Sequence, residues 1–404
     1  MPTPTLRRAL NLPLLTLYGL GVTVGAGIYV LIGATASKAG IYAPVSFLVA
    51  AAVVVFTALS YAELSTRYPL SAGEAAYVDA GFARKHLSLL IGLLVMMSGV
   101  VSTAVVSIGA AEYASRFFPV SSSVLLICVV AAIAALAIWG IFESVLLAGF
   151  ITLVEISGLL LVLFVGLTST SMDISKLPDL IPPFDGAVWT GIASGALLAF
   201  FAFIGFEDMA NVAEEVKTPR KTLPRAILLT LILSTVLYLA VVSVVVINVP
   251  LAQLTTSAAP LSFLFSGETA FLYAPFGIIA ILATLNGGLI QIIMASRVLY
   301  GLAARGHLPA VFSSINSVTR TPILATIVVG LVSLILALWF PIEELATSTS
   351  LLVLVVFFTV NLSLIRIKLR RKNDAEQQDI FAVPLWVPAV GAVTAVALAV
   401  TRLI

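Results

Sequence analysis

The sequence predicts an all-α membrane protein of about eleven spanning helices. Ten of them form two five-helix units of opposite topology, and one is additional. Three observations carry this. Of 404 residues, 61% are hydrophobic and 10% charged, whereas a soluble domain carries about 25% charged residues. Apolar runs long enough to cross a bilayer recur along the whole chain. Two of those runs, five apart, are interrupted in mid-span by glycine.

An apolar helix crosses the hydrocarbon core in about 20 residues. The spans so identified are 12–37, 42–66, 86–117, 121–141, 145–169, 187–212, 224–248, 272–302, 321–340, 343–366 and 383–402. The third and eighth exceed the core thickness, so they tilt or project beyond it. Polar connections lie at 171–185, 214–225 and 368–379, of which the last reads as flexible. The organisation is therefore a short N-terminal segment (1–11), a first unit (12–169), a second unit (187–366), a loop (367–382) and one further span (383–404). Arg7 and Arg8 precede an apolar run longer than a signal-peptide core, so the first span is expected to serve as its own insertion signal.

Lys and Arg placement sets orientation, because basic residues concentrate on the cytoplasmic side. With the N-terminus inside, 17 of the 21 basic residues fall inside. Lys38, Arg116, Lys176 and Arg402 fall outside. A cytoplasmic N-terminus and a multi-pass place in the plasma (inner) membrane are expected, with bilayer lipid as surroundings. The single cysteine, Cys128, sits in an apolar run and is expected to be a packing residue; one cysteine makes neither a disulfide nor a Cys-based metal motif.

The first broken run reads Gly19-Leu20-Gly21-Val22-Thr23-Val24-Gly25-Ala26-Gly27-Ile28-Tyr29. Gly21 and Gly25 alone form a GxxxG, whose ordinary meaning in a membrane is close helix contact. Four glycines within nine residues go further, since each weakens a helix by about 1 kcal/mol relative to alanine. Lipid cannot satisfy the backbone groups freed by a break, so a break survives only where it faces protein or lines a cavity. Past this one, a new half-helix begins at Ala26 and Gly27, and its free amides attract a carboxylate. The second broken run is Phe200-Phe201-Ala202-Phe203-Ile204-Gly205-Phe206-Glu207-Asp208. Carbonyls around Phe203, Ile204 and Gly205 suit an ammonium. Together the two breaks complement the head group of an α-amino acid, and paired breaks five spans apart point to a transporter. Glu207 reads either as an intramembrane functional carboxylate or as a solvated end residue; Asp208 is expected to be solvated.

The chain resembles the amino acid–polyamine–organocation transporter superfamily, whose members have the leucine-transporter fold. The residues that carry the resemblance are Gly25-Ala26-Gly27-Ile28-Tyr29, Tyr61-Ala62-Glu63-Leu64 with Pro69, Gly73 and Tyr77, and Phe203-Ile204-Gly205-Phe206-Glu207. They continue with Asn211-Val212-Ala213-Glu214-Glu215, Pro219-Arg220, Ser296-Arg297-Val298-Leu299-Tyr300 and Gly306-His307-Leu308-Pro309. The match covers roughly residues 10–366. The resemblance implies that the amides of Gly25, Ala26 and Gly27 bind the substrate carboxylate. It also implies that the carbonyls of Val22, Thr23, Ala202 and Ile204 hold the amine. Phe201 falls where related exchangers carry an aromatic gate; an ordinary core aromatic is the alternative.

Proton-coupled relatives carry a lysine in span five. Here the stretch reads Thr152-Leu153-Val154-Glu155-Ile156-Ser157-Gly158, with Glu155 in the lysine's place. A charged carboxylate there costs about 2.5–3.5 kcal/mol on insertion scales. Glu155 is expected to be a proton-coupling group, a neutral hydrogen-bonded acid joining spans one, five and eight, or a sodium ligand. Serine and threonine in membrane helices mostly bond their own backbone or a neighbouring helix; Ser102 and Asn286 are the two polar residues expected to reach the pocket. With no obvious carboxylate near the breaks besides Glu155, a small or apolar neutral substrate is favoured over a cationic one or a polyamine.

No Ser/His/Asp nucleophile pattern, P-loop or H-E-x-x-H is present in the sequence. The expected function is secondary active amino acid transport by alternating access, through proton symport or exchange. No enzyme activity, cofactor, metal or nucleic-acid partner is expected, and proton coupling is favoured over sodium. A monomer or homodimer, an exchanger of cationic amino acids or polyamines, and a non-transporting amino acid sensor stay open.

Overall fold

In the computed structural model, residues 10–69, 73–140, 145–169, 172, 174–304, 306–370 and 380–403 are described. Most of the N-terminal segment, most of the 367–382 loop, and Arg7, Arg8, Arg305, Arg371 and Lys372 lie outside them.

Eleven apolar spans are present among the described residues. The first is two helices, α1 (Leu12–Val24) and α2 (Ala26–Ala39), with Gly25 between them. Asn11 caps α1 by accepting from the Leu14 amide at 3.1 Å, and Pro13 fits the first turn, where its missing N–H is no loss. Then follow α3 (Ala43–Arg67), the short connecting helix α4 (Gly73–Phe82), α5 (Lys85–Ser115), α6 (Ser122–Trp139) and α7 (Val145–Thr168). The second unit opens with α8 (Gly186–Phe200), capped by Asp185 on the Val188 amide. It continues through α9 (Pro219–Asn248), the single turn α10 (Leu251–Leu254), α11 (Tyr273–Ala304), α12 (Ile323–Trp339) and α13 (Ile342–Arg370). The last span is α14 (Trp386–Val400).

Span six differs from a simple interrupted α-helix. After Gly205 the chain runs as a 3₁₀ segment, Phe206–Glu215. At about 2.0 Å rise per residue it covers roughly 20 Å, more than an α-helix of the same length.

The spans pack as the inverted repeat requires. α2 contacts α8, α3 contacts α9, α5 contacts α11 and α6 contacts α12. Each pair joins the same position in the two units. The broken spans sit in the middle of the bundle, with α3, α5, α7, α9, α11 and α13 around them. Large apolar side chains such as Phe150, Phe164, Trp139 and Trp339 project outward. A patch of that kind would be a liability in water; against lipid it is the expected surface.

Two polar devices hold the face where α3 ends. Glu63 is fully buried and pairs with Arg67 at 2.6 Å and with Lys368 at 2.7 Å. It also accepts from the Val383 amide at 2.7 Å, so one carboxylate ties α3, α13 and the lead into α14. Nearby, Leu10 forms an isolated parallel bridge with Val216. The Leu10 amide donates to Glu215 O at 3.0 Å, and Leu10 O accepts from the Lys217 amide at 3.0 Å. The ends of both broken spans on this face, Leu10 before α1 and Val216 after the 3₁₀ segment, are thereby stapled together.

Candidate functional site

The two breaks touch. At the first, Gly25 turns the chain (φ −46°, ψ −128°) and leaves α2 without a side-chain cap. The opening amides of α2, at Ala26 and Gly27, have no intrahelical partner by helix geometry. At the second, Ile204 is extended (φ −65°, ψ 132°) and Gly205 takes φ +126°, a region that favours glycine. A Cβ on Gly27 would lie 2.6 Å from Ala202 Cα, and one on Gly205 would lie 2.8 Å from Val22 O. The glycines thus let one backbone rest on the other, which explains why the GxxxG stretch carries more glycine than helix contact needs.

A break at mid-depth must account for its backbone groups. Gly205 N–H donates to Glu207 Oε2 at 2.8 Å, so Glu207 caps the second break from two residues away. Thr23 O and Ala202 O, one from each break, both lie within reach of a single hydroxyl. Tyr238 on α9 is 2.7 Å from the first and 2.9 Å from the second. One proton serves two acceptors, and each carbonyl keeps a lone pair for a further donor.

Glu155 on α7 is completely buried. Its Oε1 accepts from Asn286 Nδ2 on α11 at 2.8 Å, while its Oε2 has no partner among the described residues. Its main-chain oxygen accepts from Tyr29 Oη at 2.7 Å. Glu155 therefore joins spans one, five and eight and still presents one bare oxygen. Thr23 Oγ1 is likewise buried without a partner.

Aromatic side chains cluster on either side of the breaks. Beyond α2's first turn, Tyr29 stacks on Phe276 with centroids 6.3 Å apart, Phe265 stacks on Phe276 at 4.3 Å, and Tyr113 donates to Tyr29 O. On the other side Tyr61 meets Phe206 at 5.6 Å, Phe357 at 5.7 Å and Tyr77 at 6.0 Å. Glu74, on α4 outside the spans, accepts from Tyr61 Oη at 3.2 Å. Burial raises the Glu74 carboxyl above the usual carboxylate range, and the Tyr61 hydrogen bond opposes that shift.

The structure brings Val22, Thr23, Gly25, Gly27, Ala202, Ile204 and Glu207 together at the breaks, with the Ala26 backbone beside them. Phe201 and Ser102 are buried, and Asn286 faces Glu155 rather than open space. Ser98, Thr103, Ser107 and Thr349 all donate to carbonyls of their own helices, as their chemistry leads one to expect. Two expectations need correction. Asp208 is buried and has a partner, because the 3₁₀ segment turns it inward rather than toward solvent. Cys128 is exposed, on the outward face of the peripheral helix α6 rather than in a core. Sequence reasoning missed Tyr238 and the role of the Tyr29 hydroxyl. A buried tyrosine hydroxyl usually has a partner, but nothing in the α9 sequence says which.

Comparison with known proteins agrees with this architecture. The amino acid permease family matches residues 10–404. The cationic amino acid transporter 2, vacuolar, of Arabidopsis thaliana is 31% identical over 89% of this chain and 60% of its own length. The chain thus spans about three fifths of that relative's length. The branched-chain amino acid permease BcaP of Bacillus subtilis (strain 168) is 29% identical over 91% of this chain and 82% of its own length. A solved structure of a Na+-coupled sialic acid symporter superposes with a TM-score of 0.65, at 14% identity, over 98% of this chain and 90% of that one; it shows the fold. Inverted units, two touching breaks and a match along nearly the whole length agree: this chain belongs to the amino acid permease family, within the amino acid–polyamine–organocation superfamily and with the leucine-transporter fold.

Proposed function

We propose that the protein is a secondary active transporter of small or apolar neutral amino acids, working by alternating access around the two breaks. The observation that carries this is the contact between the breaks. Free α2 amides at Ala26 and Gly27 suit a carboxylate. Carbonyls at Val22, Thr23, Ala202 and Ile204 suit an ammonium, which must share Thr23 O and Ala202 O with Tyr238 or displace its hydroxyl. Phe201 and the aromatic clusters supply apolar walls. Glu207 is engaged by the Gly205 amide and Glu155 Oε1 by Asn286, and the bare Glu155 Oε2 serves a proton in this reading rather than a cationic side chain. A cationic substrate is the second reading, favoured by the 31% identity to a relative named as a cationic amino acid transporter.

In this proposal Glu155 is the proton-coupling group, acting in symport or exchange. Its bare Oε2 is where a proton would reside, and Asn286 holds the other oxygen in place. The N-terminus lies in the cytoplasm, as the basic residues direct.

A thermal-shift series of the purified protein against the proteinogenic amino acids tests the substrate class. A ligand at 100 times its Kd stabilises by about 2.7 kcal/mol, so neutral amino acids should raise Tm and lysine, arginine and putrescine should not. Stabilisation by the cationic set alone would establish the second reading. Counterflow in proteoliposomes separates carrier from sensor: binding without counterflow rules out transport.

A further inference from the structure

The face of the molecule that carries the Leu10–Val216 bridge also carries the start of α9. Within residues 217–225, the side chains of Lys217, Arg220, Lys221 and Arg225 are all exposed. Among the described residues, none of the four side chains has an ion pair or hydrogen bond. Their charges also lie at the positive end of the α9 dipole, which attracts anions and disfavours cations. Four cations are thus gathered, next to Glu214 and Glu215, where the helix itself would prefer carboxylates.

Depth identifies the partner. α9 has 30 residues, about 45 Å at 1.5 Å per residue, against a hydrocarbon core of about 30 Å. The helix must overshoot by some two to three turns. Its lipid-facing apolar side chains begin at Leu229, 39% exposed, and continue through Ile232, Leu233 and Val236. The basic residues end one turn earlier, at Arg225. At that height the exposed basic residues fall at headgroup depth, with Arg225 one turn before Leu229 on the same helix face.

We propose that Lys217, Arg220, Lys221 and Arg225 form a binding surface for the phosphate groups of anionic lipids. Each basic residue near an anionic bilayer surface contributes roughly fivefold in affinity. The surface adjoins the Leu10–Val216 bridge. Lys217 donates its own amide to Leu10 O, so a lipid phosphate held here restrains the staple joining the ends of both broken spans on this face. The proposal stands whether or not the substrate is a neutral amino acid, because its test reads lipid binding and not transport.

The test uses native mass spectrometry of the full chain, taken from nanodiscs that mix phosphatidylglycerol with phosphatidylcholine. Wild type is compared with the combined Lys217→Gln, Arg220→Gln, Lys221→Gln and Arg225→Gln variant. Wild type should retain phosphatidylglycerol in preference to phosphatidylcholine, and the variant should lose at least tenfold of that preference. Neutralising Lys38, which is already paired with Glu343 at 2.6 Å on the opposite side, should leave it within twofold. Equal loss in both variants, or no loss in the first, overturns the proposal. Should the fourfold variant fail to insert, the wild type decides by ionic strength. Screening shortens from about 10 Å at 0.1 M to about 3 Å at 1 M salt, so the preference should collapse. A preference that survives 1 M salt, or that inorganic phosphate removes at concentrations too low to screen, overturns it as well.

Discussion

Tyr238→Phe removes one oxygen and leaves the ring in place. That oxygen faces Thr23 O at 2.7 Å and Ala202 O at 2.9 Å, and both carbonyls are orphans of a broken helix. The ring also meets Phe203 at 5.1 Å and Phe47 at 5.9 Å, so the shape of the site survives the change. The loss is bounded from below by one hydrogen bond, about 1 kcal/mol, and from above by two bare buried carbonyls at about 1–3 kcal/mol each. If a substrate ammonium binds these same carbonyls, it supplies the donors the variant lacks. The stability loss should therefore be large without substrate and much smaller at saturation. The assay is a thermal-shift comparison of wild type and Tyr238→Phe, each with and without a stabilising amino acid. A variant with wild-type Tm in both conditions, or one whose loss is the same with substrate as without, refutes the reasoning.

Glu155→Gln keeps an acceptor for Asn286 and removes the proton site; uptake measured across a pH range should lose its pH dependence, and a variant with wild-type rate and profile would sink proton coupling through Glu155. Gly205→Ala places a Cβ 2.7 Å from Val22 Cγ1 at φ +126°. Overpacking and backbone strain together should cost about 2–6 kcal/mol, read as lost uptake and lowered Tm. Glu63→Gln leaves the buried Arg67 and half-buried Lys368 side chains without their carboxylate, which should destabilise by up to about 3–5 kcal/mol and loosen α14; limited proteolysis between α13 and α14 checks this. Glu74 has its folded-state titration raised by burial, so the unfolded chain gives up that proton first and stability falls as pH rises above the ordinary glutamate range near 4.3. Glu74→Gln should remove that part of the fall, seen as a Tm difference between variant and wild type that grows with pH and then levels off.

Much of the architecture was legible in the sequence because a bilayer leaves few options. The eleven apolar runs became eleven spans whose ends mostly moved by only one to three residues. The exceptions are span seven, where α9 begins at Pro219 and carries Pro224 within it, and span ten, where α13 runs on to Arg370. The glycine stretch and Ile204-Gly205 marked both breaks, since only glycine tolerates the approach of Gly27 to Ala202 and the φ of Gly205. What stayed hidden depends on neighbours distant in sequence. Tyr238 looks like any apolar-helix tyrosine until α1 and α8 are set against α9. Leu10 and Val216 have no signature for pairing across more than 200 residues. The turn of Asp208 inward follows from the 3₁₀ winding after Gly205, which hydrophobic periodicity alone does not distinguish from α. Glu155 and Asn286 could be placed on facing spans, but the bare Oε2 is visible only in three dimensions.

The central claim is that the touching breaks hold both charges of an amino acid head group. Counterflow in proteoliposomes tests it most directly. A neutral amino acid that exchanges is compared with two analogues of the same side chain, the decarboxylated amine and the deaminated acid. Only the complete zwitterion should drive counterflow, with both analogues at background. Counterflow of either analogue at a rate comparable to the amino acid would contradict the claim.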